Sequence, residues 1–212
     1  MYVVGIKQQN KAFNGTNTNY IDDHGLISEL FDDLGKNYLS YLTTNYDRSK
    51  GLFYNVDLRD GMEGSIGGLV QQSYRPTLNS YMYGELSALS KLSYLQGLES
   101  KYLEYLTAAN QLKKSMDKHL WDEKASFYKV LPRFGPKGNK TAPVELVTTR
   151  ELHGYTPWYF NLPGNDKSGA WSQLMDTQGF YAPYGLTTAE QRSPLFKIDY
   201  NKRHECLWNG PR

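Results

Sequence analysis

The sequence has one cysteine, no long apolar run and almost no excess of charge of either sign. Cys206 cannot form an internal disulfide, so the fold depends on packing and the cysteine content identifies no redox compartment. No stretch approaches the roughly 18 apolar residues of a membrane span, and Met1 is not followed by a basic patch and an apolar core. We therefore expect a soluble chain without an export signal in these residues, cytoplasmic or periplasmic, with no membrane partner.

The charge balance argues against nucleic acid as a partner. There are 24 Lys and Arg residues against 22 Asp and Glu, and the basic residues form no run that could neutralise successive phosphates. Metal ligation is not expected either. His24, His119 and His153 lie far apart, so each is predicted to be an ordinary surface or loop histidine. The segment 204–208 lacks the second histidine of a zincin helix, so we expect no metal and no cofactor.

Nucleotide binding and nucleophilic Ser or Cys chemistry are also disfavoured. The glycines of residues 59–68 fit neither the dinucleotide fingerprint nor the Gly-Lys-Ser/Thr ending of a phosphate-binding loop. Ser65 lacks the Gly-x-Ser-x-Gly context of a nucleophile elbow, and Cys206 has no activating partner nearby in sequence.

What the sequence does have is a high content of aromatic residues. They make up 14% of the chain, with 18 Tyr and 4 Trp, although the mean hydropathy is low. Rings with a polar tip suit surfaces that are partly exposed to water, such as sugar-binding sites. A sugar offers both an apolar face for stacking and hydroxyls for hydrogen bonds. A core rich in tyrosine is an equal alternative on composition alone.

Apolar periodicity predicts helices over residues 25–45, 77–97 and 99–120. Pro76 is suited to the start of the second helix, and Gly97 is a plausible stop. The short connection to the third helix implies an antiparallel helical hairpin. The 212 residues are expected to form one unit, with an irregular lead-in over 1–24 and the domain over 25–212.

A degenerate repeat follows two of these helices, at residues 45–54 and 120–128. Each copy has an aromatic residue and an Asp, then a polar turn, then Phe-Tyr. The Asp is expected to cap the turn while the rings close the gap between consecutive hairpins. Stacked helical hairpins of this kind are typical of an α/α barrel or toroid, with a helical solenoid as the alternative.

Beyond residue 130 the sequence becomes loop-like. Pro, Gly and Lys at 132–143 mark a loop or an exposed hairpin, and after it only 168–175 and 187–191 are predicted to be helical. The second of these carries a capping box from Thr187 to Glu190. Loops on a rigid scaffold often carry function. Their rings could pack in the core or stack on sugars: Trp158, Tyr159, Phe160, Trp171, Phe180, Tyr181 and Tyr184.

Two carboxylates lie in a glycine-rich segment, residues 59–68, which precedes Arg75 and a helix. Asp60 and Glu63 are separated by Gly61 and Met62. Glycine lets the backbone approach a ligand closely, so the segment is a candidate site. The alternative is a tight turn with solvated acids.

These residues support a family resemblance that extends from about residue 25 to the end of the chain. The motifs that carry it are Asp60-Gly61-Met62-Glu63-Gly64-Ser65, Arg75-Pro76-Thr77-Leu78-Asn79, Arg150-Glu151, Pro157-Trp158-Tyr159-Phe160, and His204-Glu205 with Trp208-Asn209-Gly210-Pro211. In these motifs the chain resembles bacterial members of glycoside hydrolase family 63, and the related mannosylglycerate hydrolases and trehalases share the same barrel.

The resemblance implies an all-α fold, part of an (α/α)6 toroid, and inverting hydrolysis of α-linked glucosides or related oligosaccharides. The relatives' proton donor matches Glu63, and Asp60 is the competing acid. Inversion places a general acid and a general base about 6.5–9.5 Å apart, with water between them. A neighbouring carboxylate can keep the donor protonated near neutral pH, and Asp60 could be that neighbour of Glu63.

The relatives place their general base beyond the Trp-Asn-Gly-Pro motif, whereas this sequence ends at Arg212. Glu205 precedes the motif and is assigned to substrate binding or structure. We therefore expect a partial barrel that lacks the base, with the remainder of the same barrel as a possible partner. The residues assigned to binding the oligosaccharide are Arg75, Glu151, Trp158, Tyr159, Tyr181, Glu205, Trp208 and Asn209.

Two functions of other classes stay open at this point. One is a non-catalytic carbohydrate-binding or scaffold protein, and the other is a helical-repeat protein that binds a protein partner. The identity of the sugar, its linkage and the oligomeric state do not follow from the sequence.

Overall fold

The computed structural model describes residues 24–56, Ile66 and residues 72–196. Three long helices dominate this part of the chain: α1 (His24–Thr44), α2 (Pro76–Leu95) and α3 (Glu99–His119). Each lies within two residues of its predicted span, so the sequence-based prediction of the helices is confirmed. The lead-in predicted for 1–24 lies outside the described residues, apart from His24 at the start of α1.

The α2–α3 pair is the antiparallel hairpin that the short connection predicts. Gly97 adopts a φ of 72°, a left-handed conformation that suits glycine, and its N–H donates to the carbonyl of Tyr94 at 3.1 Å. The predicted stripe of α2 is buried from Leu78 to Leu92. That of α3 is buried only in its second half, since Leu103 is 52% exposed.

The two copies of the degenerate repeat form the same structure, one after α1 and the other after α3. Two-residue strands β1 (Tyr46–Asp47) and β2 (Leu52–Phe53) make one antiparallel hairpin, and β5 (Trp121–Asp122) and β6 (Phe127–Tyr128) make the other. The Asp47 carboxylate accepts the N–H of Ser49 at 2.9 Å, and that of Asp122 accepts the N–H of Ala125 at 3.0 Å. The predicted capping role of both aspartates is confirmed.

A three-stranded antiparallel sheet stands beside these hairpins, in the order β3 (Asn55–Val56), β4 (Gln72–Tyr74) and β7 (Leu131–Pro132). The predicted acid segment lies in sequence between these two paired strands, after Val56 and before Gln72. The predicted loop follows β7 and includes a short 3₁₀ turn at Pro136–Gly138.

The last third of the described chain has short elements only. They are a 3₁₀ helix at Leu152–Tyr155, α4 (Thr156–Tyr159), a 3₁₀ helix at Asn165–Leu174, and the hairpin of β8 (Tyr181–Ala182) and β9 (Gly185–Leu186). The helical prediction for 168–175 corresponds to the second of the 3₁₀ helices.

The helix and capping box predicted for 187–191 are wrong. Ala189 pairs with Glu151 in an antiparallel bridge, and the Thr187 hydroxyl donates to the Ala189 carbonyl at 2.7 Å. The Glu190 carboxylate binds the backbone N–H and the guanidinium of Arg150, at 2.7 and 2.6 Å. A largely buried ion pair with a distant arginine therefore takes the carboxylate that local capping would have used.

The core lies where α2 faces the two hairpins and the segment that contains α4. Within residues 24–56 and 72–196, no helix combines the length and the apolar character needed to cross a membrane. The buried apolar side chains of the main cluster include Phe53, Leu78, Met82, Leu86, Leu89, Met116, Phe127, Tyr128 and Phe180.

Candidate active site

The predicted acids Asp60 and Glu63 lie outside the described residues, as do Glu205, Trp208 and Asn209. Ile66, three residues after Glu63, is described. Its side chain is 6% exposed, and its backbone N–H donates to Glu151 Oε1 at 2.8 Å. The acid segment is therefore attached, at this residue, to a part of the chain 85 positions away.

Arg75 stands between the end of β4 and the start of α2. Its extended backbone lets Pro76 open the helix, and its side chain is completely buried. The guanidinium Nε donates to Ser73 Oγ at 3.3 Å. A buried cation is costly unless it has partners, so a fully buried arginine next to the acid segment is a feature expected of a site.

Asn79 fixes the backbone at Arg75 to the first hairpin. Its Oδ1 accepts the N–H of Phe53 at 2.8 Å, while its Nδ2 donates to the carbonyls of Phe53 and Arg75, both at 2.9 Å. The side chain has no exposed surface. Asn79 occurs in one of the sequence motifs, but its structural role depends on a strand 26 residues away and was not predicted.

Glu151 and His153 form a buried pair. Their side chains are 3% and 5% exposed, and His153 Nε2 lies 3.3 Å from Glu151 Oε2. The prediction of a surface or loop position for His153 is wrong, because the residue belongs to the 3₁₀ helix at Leu152–Tyr155. A Glu-x-His spacing was the only signal in the sequence, and it is too common to identify such a pair.

The backbone around this pair is held on two sides. The N–H of Leu152 donates to the carbonyl of Thr188 at 2.8 Å, next to the bridge between Glu151 and Ala189. Gly154 packs so closely on β6 that an added Cβ would lie 2.3 Å from Phe127 Cε1. Glu151 therefore projects from a rigid segment.

The three described aromatic residues that the sequence assigned to oligosaccharide binding occupy different environments. Trp158 is partly buried among aromatic residues, with ring centroids 5.3 Å from Trp171 and 5.7 Å from Tyr155. Tyr159 and Tyr181 are 63% and 42% exposed. Tyr159 and Tyr181 have ring surface available to a ligand, whereas Trp158 contributes mainly to packing.

Asn55 is a further polar residue that the sequence did not single out. It lies opposite Ser73 across β3 and β4 and is 4% exposed. Neither its Nδ2 nor its Oδ1 has a hydrogen-bond partner in the part of the chain that the structure describes. Buried amides are normally paired, so Asn55 marks a polar position at the base of the acid segment.

Solved structures with the same arrangement of helices define the class of fold. A structure described as a sialidase matches with a TM-score of 0.72 and 37% identity, over 86% of this chain and 16% of that chain. A mannosylglycerate hydrolase of glycoside hydrolase family 63 from Thermus thermophilus, in complex with glucose, matches with a TM-score of 0.69 and 17% identity.

The second match covers 91% of this chain and 55% of that chain. The same hydrolase was also solved in complex with Tris and D-glycerate, and that structure has a TM-score of 0.67 and 15% identity, over 87% of this chain and 55% of the other. The chain thus spans about half the length of the Thermus enzyme. The fold is all-α, part of an (α/α)6 toroid of helical hairpins, as the resemblance implied.

The family model of the mannosylglycerate hydrolase MGH1-like glycoside hydrolase domain matches residues 9–212. The chain belongs to this family, which confirms the glycosidase resemblance inferred from the motifs. A comparison with curated proteins gives no match.

Proposed function

We propose that this chain is the acid-bearing part of an inverting glycoside hydrolase that acts on α-linked glucosides or related oligosaccharides. Glu63 or Asp60 donates a proton to the leaving oxygen as the glycosidic bond breaks. A general base takes a proton from the water that attacks the anomeric carbon on the opposite face.

The observation that carries this proposal is the hydrogen bond from Ile66 to the buried Glu151 carboxylate. A glycine-rich turn with solvated acids has no need of a buried side-chain acceptor 85 residues away. An acid catalyst does need a fixed backbone, because proton transfer requires hydrogen-bond distance to the leaving oxygen.

The surroundings of the acid segment support a sugar site. β3 ends at Val56 before the segment, β4 begins at Gln72 after it, and the buried Arg75 follows β4. The motifs assign Arg75 to substrate binding, but its side chain has no exposed surface, so a contact with the sugar stays a prediction. Tyr159 and Tyr181 have exposed rings that could stack on the apolar face of a sugar, whereas Trp158 is packed among other aromatic residues.

The assignments of Glu205, Trp208 and Asn209 to substrate binding remain predictions from the motifs. Their polar and aromatic chemistry suits a second wall of the same site. Among the described residues, no group of three or more His, Cys, Asp or Glu could hold a metal ion.

The test is NMR of the anomeric protons while the full-length protein, with the complete barrel of which these residues form part, is incubated with α-glucosidic and mannosyl oligosaccharides. Glu63→Gln and Asp60→Asn are the test variants, and Glu123→Gln, at an exposed acid in the β5–β6 turn, is the matched control. We expect the inverted anomer to appear first, and one test variant to lose at least about 100-fold in rate, as removal of an acid catalyst does.

Full activity in both Glu63→Gln and Asp60→Asn would refute the assignment of the acid segment. Sugar binding without any turnover, in a folded wild-type protein, would replace the hydrolase proposal with the carbohydrate-binding function considered above. Product that appears first with the retained configuration would refute the inverting mechanism.

A further inference from the structure

Ile66 is attached to the rest of the fold in two independent ways. Its side chain is buried, and its N–H donates to Glu151 Oε1 at 2.8 Å. A hydrogen bond from an amide to an ionised carboxylate is about twice as strong as a neutral one. The pair of contacts fixes both the position and the direction of the backbone at Ile66.

The second oxygen of the same carboxylate is held by the histidine. His153 Nε2 lies 3.3 Å from Glu151 Oε2, within hydrogen-bond distance. The contact fixes the carboxylate plane, and therefore the direction in which Oε1 accepts the N–H of Ile66. His153 in this way acts on Ile66 through Glu151.

Close contacts bound the backbone segment that carries Glu151 and His153. The bridge from Glu151 to Ala189 and the close packing of Gly154 on Phe127 hold both flanks of the segment. Because rigid supports preserve catalytic geometry, a carboxylate on such a segment can position a loop. The same carboxylate on a mobile loop could not.

The positional effect extends to the acids. Three residues of chain span at most about 11 Å, so a fixed Ile66 restricts the space open to Glu63. On the other side, Val56 is paired with Gln72 in the sheet. In sequence, both acids therefore lie between two residues of defined position, Val56 and Ile66.

We propose that Glu151 and His153 are a positioning pair that fixes the proton-donor segment through the backbone of Ile66. This inference rests on the proposed function and refines the role of Glu151, which the sequence assigned to substrate binding. Glu151 acts on the reaction through the loop and not by contact with the sugar.

The direct test is hydrogen exchange of the Ile66 amide, followed by NMR in the intact protein. Glu151→Ala removes the acceptor, and we expect the Ile66 amide to exchange roughly 10- to 100-fold faster. Glu151→Gln keeps an oxygen that can accept, so its effect should lie between those of wild type and Glu151→Ala.

Asp176→Ala is the matched control. The Asp176 carboxylate also accepts a backbone N–H at 2.8 Å, from Gln178, and its other oxygen pairs with Arg192. In this variant the Gln178 amide should exchange faster while that of Ile66 keeps its wild-type rate. The comparison distinguishes loss of the hydrogen bond between Ile66 and Glu151 from a general destabilisation of the fold.

Steady-state kinetics on the oligosaccharide that the wild type cleaves supply the second readout. A displaced acid lowers kcat, by about 10- to 100-fold for a shift on the order of 1 Å, and leaves KM unchanged. His153→Ala should change kcat in the same direction by less, because the acceptor of the Ile66 N–H stays in place.

An Ile66 amide that exchanges at the wild-type rate in Glu151→Ala would overturn the proposal. Equal acceleration of amides throughout α2 and α3 would overturn it too, because Glu151 would then serve stability in general. A raised KM with unchanged kcat would return Glu151 to substrate binding. A wild type without hydrolysis, but with an Ile66 amide that depends on Glu151, would refute the proposed function and leave the tether intact.

Discussion

Replacement of Asn79 by alanine should destabilise the protein far more than its size suggests. The side chain makes hydrogen bonds to the N–H and carbonyl of Phe53 and to the carbonyl of Arg75. The Arg75 carbonyl also accepts the backbone N–H of residue 79 at 3.3 Å, so it keeps a partner. The backbone N–H and carbonyl of Phe53 are buried and lose their hydrogen-bond partner.

The magnitude follows from these contacts. Each lost hydrogen bond costs about 0.5–1.5 kcal/mol, and a buried donor left without an acceptor costs about 1–3 kcal/mol. The sum is about 3 kcal/mol for Asn79→Ala. In a domain of this size, 1 kcal/mol lowers the Tm by roughly 2–4 °C, so a decrease of about 6–12 °C is expected.

Thermal unfolding followed by circular dichroism measures this effect, with Ser80→Ala as the matched control. Ser80 is equally buried in the same turn of α2, but its hydroxyl only donates to the helix carbonyl of Pro76, at 2.6 Å. Its removal should cost about 1 kcal/mol or less. Equal losses of Tm in the two variants would refute the argument that Asn79 satisfies the hairpin backbone.

Two further predictions concern the packing of Gly154 and the stability of the protein at high pH. Gly154→Ala should cost roughly 1–3 kcal/mol of unfolding free energy in a denaturant titration, because the new Cβ would lie 2.4 Å from the Tyr128 carbonyl. Gly35→Ala, whose Cβ would lie 3.9 Å from Tyr105, is the control and should not destabilise. Burial raises the pKa of Tyr38 to about 12, above the unfolded value of about 10. The contribution of the buried, neutral Tyr38 to folding stability is complete below pH 10 and is lost as the pH rises towards 12. Ultraviolet titration of tyrosinate, with and without denaturant, measures this difference in pKa. Ionisation of every tyrosine near pH 10 in the folded protein would contradict the prediction.

The helices and the repeated hairpins could be predicted because their signals are local. The apolar stripe of α2, the proline at its start and Gly97 at its end all act within a few residues. Likewise, the Asp of each repeated phrase caps a turn two or three residues away. Such features depend on backbone geometry that the neighbouring sequence alone sets up.

The site itself depends on contacts between distant residues, which no local pattern reveals. Thr187 and Glu190 have the spacing of a capping box, but an arginine 40 residues away binds the carboxylate instead. Similarly, nothing near His153 in sequence indicates that Glu151 is tied to Ile66. The family motifs named Glu151 as important but did not give the way in which it acts.

The described residues around the acid segment therefore divide into two supports with different chemistry. One support is the set of neutral hydrogen bonds from Asn79, which join the β1–β2 hairpin to the backbone of Arg75. The other is the buried Glu151 side chain, which accepts the N–H of Ile66. The hydrogen bonds of Asn79 contribute chiefly to stability, since their loss leaves backbone groups unpaired. A buried carboxyl group is costly to desolvate and is weak evidence for stability, which agrees with the positioning role proposed for Glu151.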